Sequence, residues 1–276
     1  MPVIRTDLWL ADFIKKARSY PTIHPIMLQK ETLCGQLKTK GKNITLFHYQ
    51  LMKLGLFNPE HIEAAEREIR LLKKQQVWER IEKEYEYLKK KWDGPETDIY
   101  IFPIDQSNRE LMKILKGKNG MNFFDNTIVL FVHSSVSEKE LQALLTHEYN
   151  HACRIQDKKY ETIPLKDSII MEGLAEHAVE QRFGKKMLAT WTSIHSKEKA
   201  KKLWKDILLA KHNLQGFQNH TIYLMGNSKN IPKWGGYNVG YYIVDSFCEN
   251  QPGLSVKQLL SISSDDLIAG SDFSNP

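Results

Sequence analysis

A chain of 276 residues with 41% hydrophobic side chains, 15 Gly and 10 Pro has the make-up of a folded globular protein, which excludes disordered, collagen-like and low-complexity classes. Its 39 Lys+Arg against 33 Asp+Glu give a net charge of +6, but lysines alternate with acids through 60–93 and 197–205, as on solvated helix faces, so no nucleic-acid partner is expected. Cys34, Cys153 and Cys248 form no CxxC pair, the N-terminal residues lack a signal-peptide-like apolar stretch, and the longest purely apolar run, 128–132, is too short to span a membrane; the expectation is a soluble, cytoplasmic protein without disulfides.

Residues 8–17 and 44–56 carry helical apolar spacing, and Asn58-Pro59 breaks the second segment. Through 59–92, Ile62, Ala65, Ile69, Leu72, Val77, Ile81, Tyr85 and Leu88 recur every three to five residues, which predicts one long amphipathic helix or two. The period then changes. Residues 98–104 and 127–133 are short runs rich in Ile, Val, Tyr and Phe and read as strands of one sheet. Between them the sequence predicts a helix over 108–116 and turns at Asn119-Gly120 and Asp125-Asn126.

Ser137 to Glu140 form a capping box that opens a helix running to about residue 156. Asp167-Ser168 offer an N-cap for the next helix, which stops at Gly184, and further helices are expected over 197–213 and 239–249. The fold class expected is α+β, mostly helical: a helical N-terminal region over 1–95, then a region over 96–276 holding a small mixed sheet.

The helix opened by Ser137 contains His147-Glu148-Tyr149-Asn150-His151, a match to HExxH. Histidines at i and i+4 lie about 40° apart around a helix, so both rings project to one side and can grip one ion. Glu148 lies beside that face, within reach of a metal-bound water without being a ligand. With 10 His in the chain, roughly 0.03 such pentapeptides are expected by chance. A catalytic zinc site needs a third protein ligand, and the next helix offers Glu172 and, four residues on, Glu176. One carboxylate can bind zinc while the other orients a ligand histidine. Gly173 allows close approach of a neighbouring backbone or of substrate.

These residues resemble the zincin metallopeptidases of the gluzincin type, in which HExxH is followed about twenty residues later by a ligand glutamate. Leu144-Leu145-Thr146-His147-Glu148-Tyr149-Asn150-His151-Ala152-Cys153-Arg154, followed by Glu172-Gly173-Leu174-Ala175-Glu176, is similar more closely to the bacterial YjaZ-like family of predicted zinc-dependent proteases, over about 98–249. The resemblance implies a zincin-like catalytic domain with His147, His151 and Glu172 as ligands of Zn2+, Glu148 as general base, and Glu176 supporting a ligand from behind. It also implies an antiparallel edge strand near the active helix, matched by 127–133, along which an extended peptide can add itself. The stretch 234–242 resembles the Tyr-x-x-Gly segment of related zincins, which makes Tyr237 the first candidate and Tyr241 the second for donating to an oxyanion, with His195, His212 and His220 as alternatives. Cys153 falls about 200° away from His151 and reads as a packed thiol.

The expected activity is therefore zinc-dependent hydrolysis of peptide bonds in a peptide or protein substrate. The rival reading is a zinc-binding, non-catalytic regulatory or partner-binding module, against which the intact Glu148 counts.

Overall fold

Helical periodicity in the first part of the chain becomes α1 (Thr6–Ser19), α2 (Pro25–Thr32), α3 (Ile44–Leu54), α4 (Ile62–Lys74) and α5 (Val77–Trp92) in the computed structural model, which describes residues 2–37, 43–123, 125–156, 158–226 and 229–274. The long periodic segment is two helices, because the chain turns at Gln75-Gln76 and Gln76 takes a left-handed φ of 55°. β1 (Asp98–Pro103), α6 (Arg109–Lys113), β2 (Lys118–Phe123) and β3 (Thr127–Val132) follow. Then come α7 (Glu138–Ile155), α8 (Leu165–Phe183), α9 (Lys197–Leu203), α10 (Thr221–Met225), α11 (Gly235–Asn250), α12 (Val256–Ser261) and α13 (Ser264–Ala269). The fold is mostly helical with one small mixed sheet. No helix among the described residues is long and apolar enough to cross a membrane.

Two compact units divide the chain: Met1–Tyr87 with Glu96–Leu145, and Leu88–Pro95 with Thr146–Pro276. In the first, the strands lie in the order β1-β3-β2, β1 parallel and β2 antiparallel to β3. Every residue of β3 is buried, as expected for a central strand covered on both faces. This corrects the expectation of an edge strand at 127–133: β3 pairs on both sides, from Asp98↔Thr127 to Pro103↔Val132 and from Lys118↔Val132 to Phe123↔Thr127, and has no backbone groups left for an added peptide. Asn119-Gly120 lies inside β2 rather than in a turn, since Asn119 pairs with Phe131 and its side-chain amide donates to the Leu54 carbonyl at 2.8 Å. The turn at Asp125-Asn126 is present, with Asn126 at φ 58°. α1 packs its Phe13 against Phe57 and its Trp9 against Tyr100 of β1, while the Thr6 hydroxyl donates to the Ile101 carbonyl.

α7 opens as its capping box predicts: Ser137 N–H donates to Glu140 at 3.0 Å, and the Ser137 hydroxyl accepts from Glu140 N–H. α8 begins earlier than expected, at Leu165 with Pro164 in the N-cap position. Asp167 and Ser168 do not cap it; Asp167 pairs with Lys158, and the Ser168 hydroxyl meets His220 Nδ1 at 2.8 Å. The helix stops at Gly184, whose φ of 78° suits glycine. The helix expected over 197–213 is broken into α9, a wide π turn at Trp204–Leu208 and a tight 3-10 turn at Leu209–Lys211.

In the second unit α8 and α11 cross with their backbones nearly touching. A Cβ on Gly173 would lie 2.1 Å from the Gly240 carbonyl oxygen, and one on Gly240 would lie 2.0 Å from that of Ile169. Around this crossing Leu165, Ile169, Trp204, Val239, Ile243 and Phe247 form a buried core. The end of α5 joins the same unit, where Trp92 stacks on Tyr149 of α7 at 6.0 Å and the Tyr149 hydroxyl donates to the Pro95 carbonyl.

Candidate metal centre

His147 and His151 project from the same side of α7, one turn apart, with ring centroids 4.6 Å apart. Their Nε2 atoms face each other at 3.0 Å. α8 brings Glu172 opposite them, its Oε2 lying 3.4 Å from His147 Nε2 and 3.6 Å from His151 Nε2. A four-coordinate zinc ion with bonds of about 2.0–2.1 Å has ligand atoms about 3.3 Å apart, so these three separations fit the edges of its shell. All three side chains are buried, and Glu172 Oε2 has no hydrogen-bond partner among the described residues. A buried carboxylate oxygen facing two imidazole nitrogens suits a cation, and two nitrogens with one oxygen form a donor set that zinc accepts.

The charges agree. Burial disfavours the charged form of His147, but Glu172 and Glu176, with Glu148 adding its charge, outweigh it and hold the imidazole well above its ordinary pKa. Burial also opposes ionisation of Glu172, yet His151 and His147 together pull its carboxyl down to about 2. Without metal, the cage keeps a proton where a cation belongs.

Glu176, one turn along α8 from Glu172, stands behind His147. Its Oε1 lies 2.8 Å from His147 Nδ1, and its Oε2 accepts from Ala189 N–H at 2.7 Å. A carboxylate there holds a proton on Nδ1, so that Nε2, which faces Glu172 and His151, is the nitrogen that would take a metal. His151 Nδ1 has no such partner among the described residues.

Glu148 is buried beside this cage. Tyr237, near the start of α11, faces both acids: burial first, then the charges of Glu172 and Glu148 and a hydrogen bond to Glu172, raise its phenol well above the ordinary range. It is therefore a firm O–H donor at neutral pH. Gly173 makes this placement possible, because it lets α11 lie directly on α8. The other expected donors are committed elsewhere. Tyr241 donates to Glu180, His220 lies between Ser168 and the Leu214 carbonyl, and His212 meets the Leu209 carbonyl. His195 Nε2 lies 3.1 Å from the Lys233 carbonyl. Cys153 is a packed thiol that burial pushes up to about 12.

Sequence reasoning missed Trp191 and Asn238. The Trp191 ring lies edge-on to His147 at 6.0 Å and to Tyr237 at 5.3 Å. The Asn238 amide holds the carbonyls of Trp191, Thr192 and His195. Neither belongs to a local spacing pattern; both reach the site through tertiary packing.

Residues 77–269 match the model of the family described as "Predicted Zn-dependent protease (DUF2268)". The chain belongs to this family. Within the YjaZ-like group it is 34% identical over 249 residues to the "Uncharacterized protein YjaZ" of Bacillus subtilis (strain 168), covering 90% of this chain and 91% of the relative. It is also 22% identical over 236 residues to the "Uncharacterized protein YjfC" of the same organism, covering 78% and 77% of the two chains. No solved structure matches. The family match contains every residue of the centre described above.

Proposed function

We propose that the protein is a zinc-dependent metallopeptidase with a zincin-like site, hydrolysing peptide bonds in a peptide or protein substrate. The observation that carries this reading is the convergence of His147 Nε2, His151 Nε2 and Glu172 Oε2 at one point, with a carboxylate and a phenol beside it. His147, His151 and Glu172 would hold the metal. When bound, zinc supplies a Lewis acid and an acidified water next to the scissile carbonyl.

The chain's own residues supply the proton chemistry. Glu148 takes a proton from the attacking water and passes it to the leaving nitrogen. Tyr237, kept protonated by its surroundings, donates its O–H to the oxyanion of the tetrahedral intermediate. Glu176 keeps the His147 ring in one tautomer through Nδ1. On this reading the chemistry belongs to the region 96–276, with 1–95 as a helical prefix. The three free cysteines support a reducing compartment, the cytoplasm.

The test joins metal content and turnover. Metal per chain is measured by mass spectrometry for the wild type, His147→Ala and Glu172→Ala, and hydrolysis of casein or a quenched peptide is followed with and without chelator. One zinc per chain in the wild type, reduced in both variants, together with chelator-sensitive cleavage, is expected. Full zinc occupancy without cleavage under any condition would support the non-catalytic reading instead.

A further inference from the structure

Buried polar atoms with no hydrogen-bond partner among the described residues include Glu172 Oε2, His151 Nδ1, Asn238 Oδ1 and the indole Nε1 of Trp92, Trp191 and Trp204; of these three indoles, that of Trp191 is packed against His147. The carboxylate oxygen is answered by the cation argued above. The indole N–H is a donor only, and burying it unpaired is costly unless an acceptor arrives.

Trp191 lies between α8 and α9, in a segment fastened from several sides. Ala189 N–H donates to Glu176 at 2.7 Å, and the Asn238 amide donates to the carbonyls of Trp191, Thr192 and His195 at 2.9, 3.1 and 3.3 Å. The Tyr242 hydroxyl also donates to the His195 carbonyl. The indole ring is packed against His147 at 6.0 Å, Tyr237 at 5.3 Å and Trp234 at 5.8 Å. A side chain held this firmly against a metal ligand and an oxyanion donor, with its own donor unused by the protein, has the form of a group kept ready for substrate.

We propose that Trp191 is a substrate-binding residue, its Nε1–H donating to a main-chain carbonyl oxygen of the bound peptide next to the scissile bond. The proposal rests on the peptidase reading and names the part of the substrate this face of the site holds. A main-chain carbonyl is present at every residue of a peptide, so the contact gives grip without demanding a particular side chain.

Trp191→Phe keeps an aromatic ring and removes the N–H. Its kcat/KM on a quenched peptide should fall about tenfold or more, with zinc per chain unchanged. Independently of turnover, the indole N–H resonance of Trp191 is followed in 15N-tryptophan-labelled Glu148→Gln protein. It is assigned among the 6 tryptophans by through-space contact with the His147 ring, and should move downfield as a short casein peptide is added. A resonance unmoved at saturating peptide, or wild-type kcat/KM in Trp191→Phe, overturns the proposal. Absence of cleavage by zinc-loaded wild type is a separate failure, that of the peptidase reading, and the resonance still decides for or against Trp191.

Discussion

Glu148→Gln preserves size and hydrogen bonding but cannot accept a proton, so it should bind zinc normally and lose about 10²–10⁴-fold in kcat. Quenched-peptide kinetics beside a zinc assay check both halves. Glu176→Ala removes the acceptor behind His147 and should weaken zinc binding about 10–100-fold, read by competition with a chromophoric chelator. The titrations of the metal-free chain have opposite signs. Glu172, held at about 2 against an ordinary 4.5, contributes stability that is present above 4.5 and lost as pH falls toward 2. His147, raised well above 6.5, contributes stability that is complete below 6.5 and lost as pH rises through its folded pKa. The denaturant midpoint of chelated protein should therefore fall at both ends, and the alkaline fall should vanish in His147→Ala. At this scale His147, Glu148 and His151 are legible because four residues of helix place them by local geometry alone. Trp191 is not, since only the long-range bonds from Asn238 and Glu176 bring its loop to the site.

Among the elements, the crossing of α8 and α11 determines whether Tyr237 reaches Glu172. Gly173→Ala places a methyl against the Gly240 carbonyl and must push the helices apart, at a cost of about 3 kcal/mol. Urea unfolding and zinc titration should show lower stability and weaker metal binding together. Gly184→Ala meets no neighbouring atom but keeps a left-handed φ of 78°, so it should cost about 1 kcal/mol and leave zinc affinity unchanged. The start of α7 was readable because the capping box is a four-residue device, whereas the start of α8 was not: Asp167 is drawn to Lys158 in the preceding loop, and Ser168 to His220, far along the chain. β3 was readable as a strand from its apolar run, but its central place depends on which chains flank it.

For the whole molecule, zinc that binds only the folded state should stabilise it by about 2.7 kcal/mol at a hundredfold excess over Kd. Hydrogen exchange with and without zinc should show protection gained around 146–155 and 165–183, which carry the proposed ligands His147, His151 and Glu172, and no gain in Glu148→Gln beyond that of the wild type. A zinc effect on exchange absent from both ligand-bearing segments would contradict the assigned centre.

The sequence by itself determined the helices before residue 93, the change of period near residue 96, the capped helix and the paired histidines with their neighbouring acid. Each is a short-range consequence of periodicity, capping or the pitch of a helix. Tertiary structure alone decided that Glu172 faces the histidines while Glu176 stands behind one of them, that Tyr237 rather than Tyr241 joins the acids, and that Trp191 closes against His147. Those choices follow from two glycines that let helices touch and from hydrogen bonds spanning dozens of residues, which no local spacing encodes.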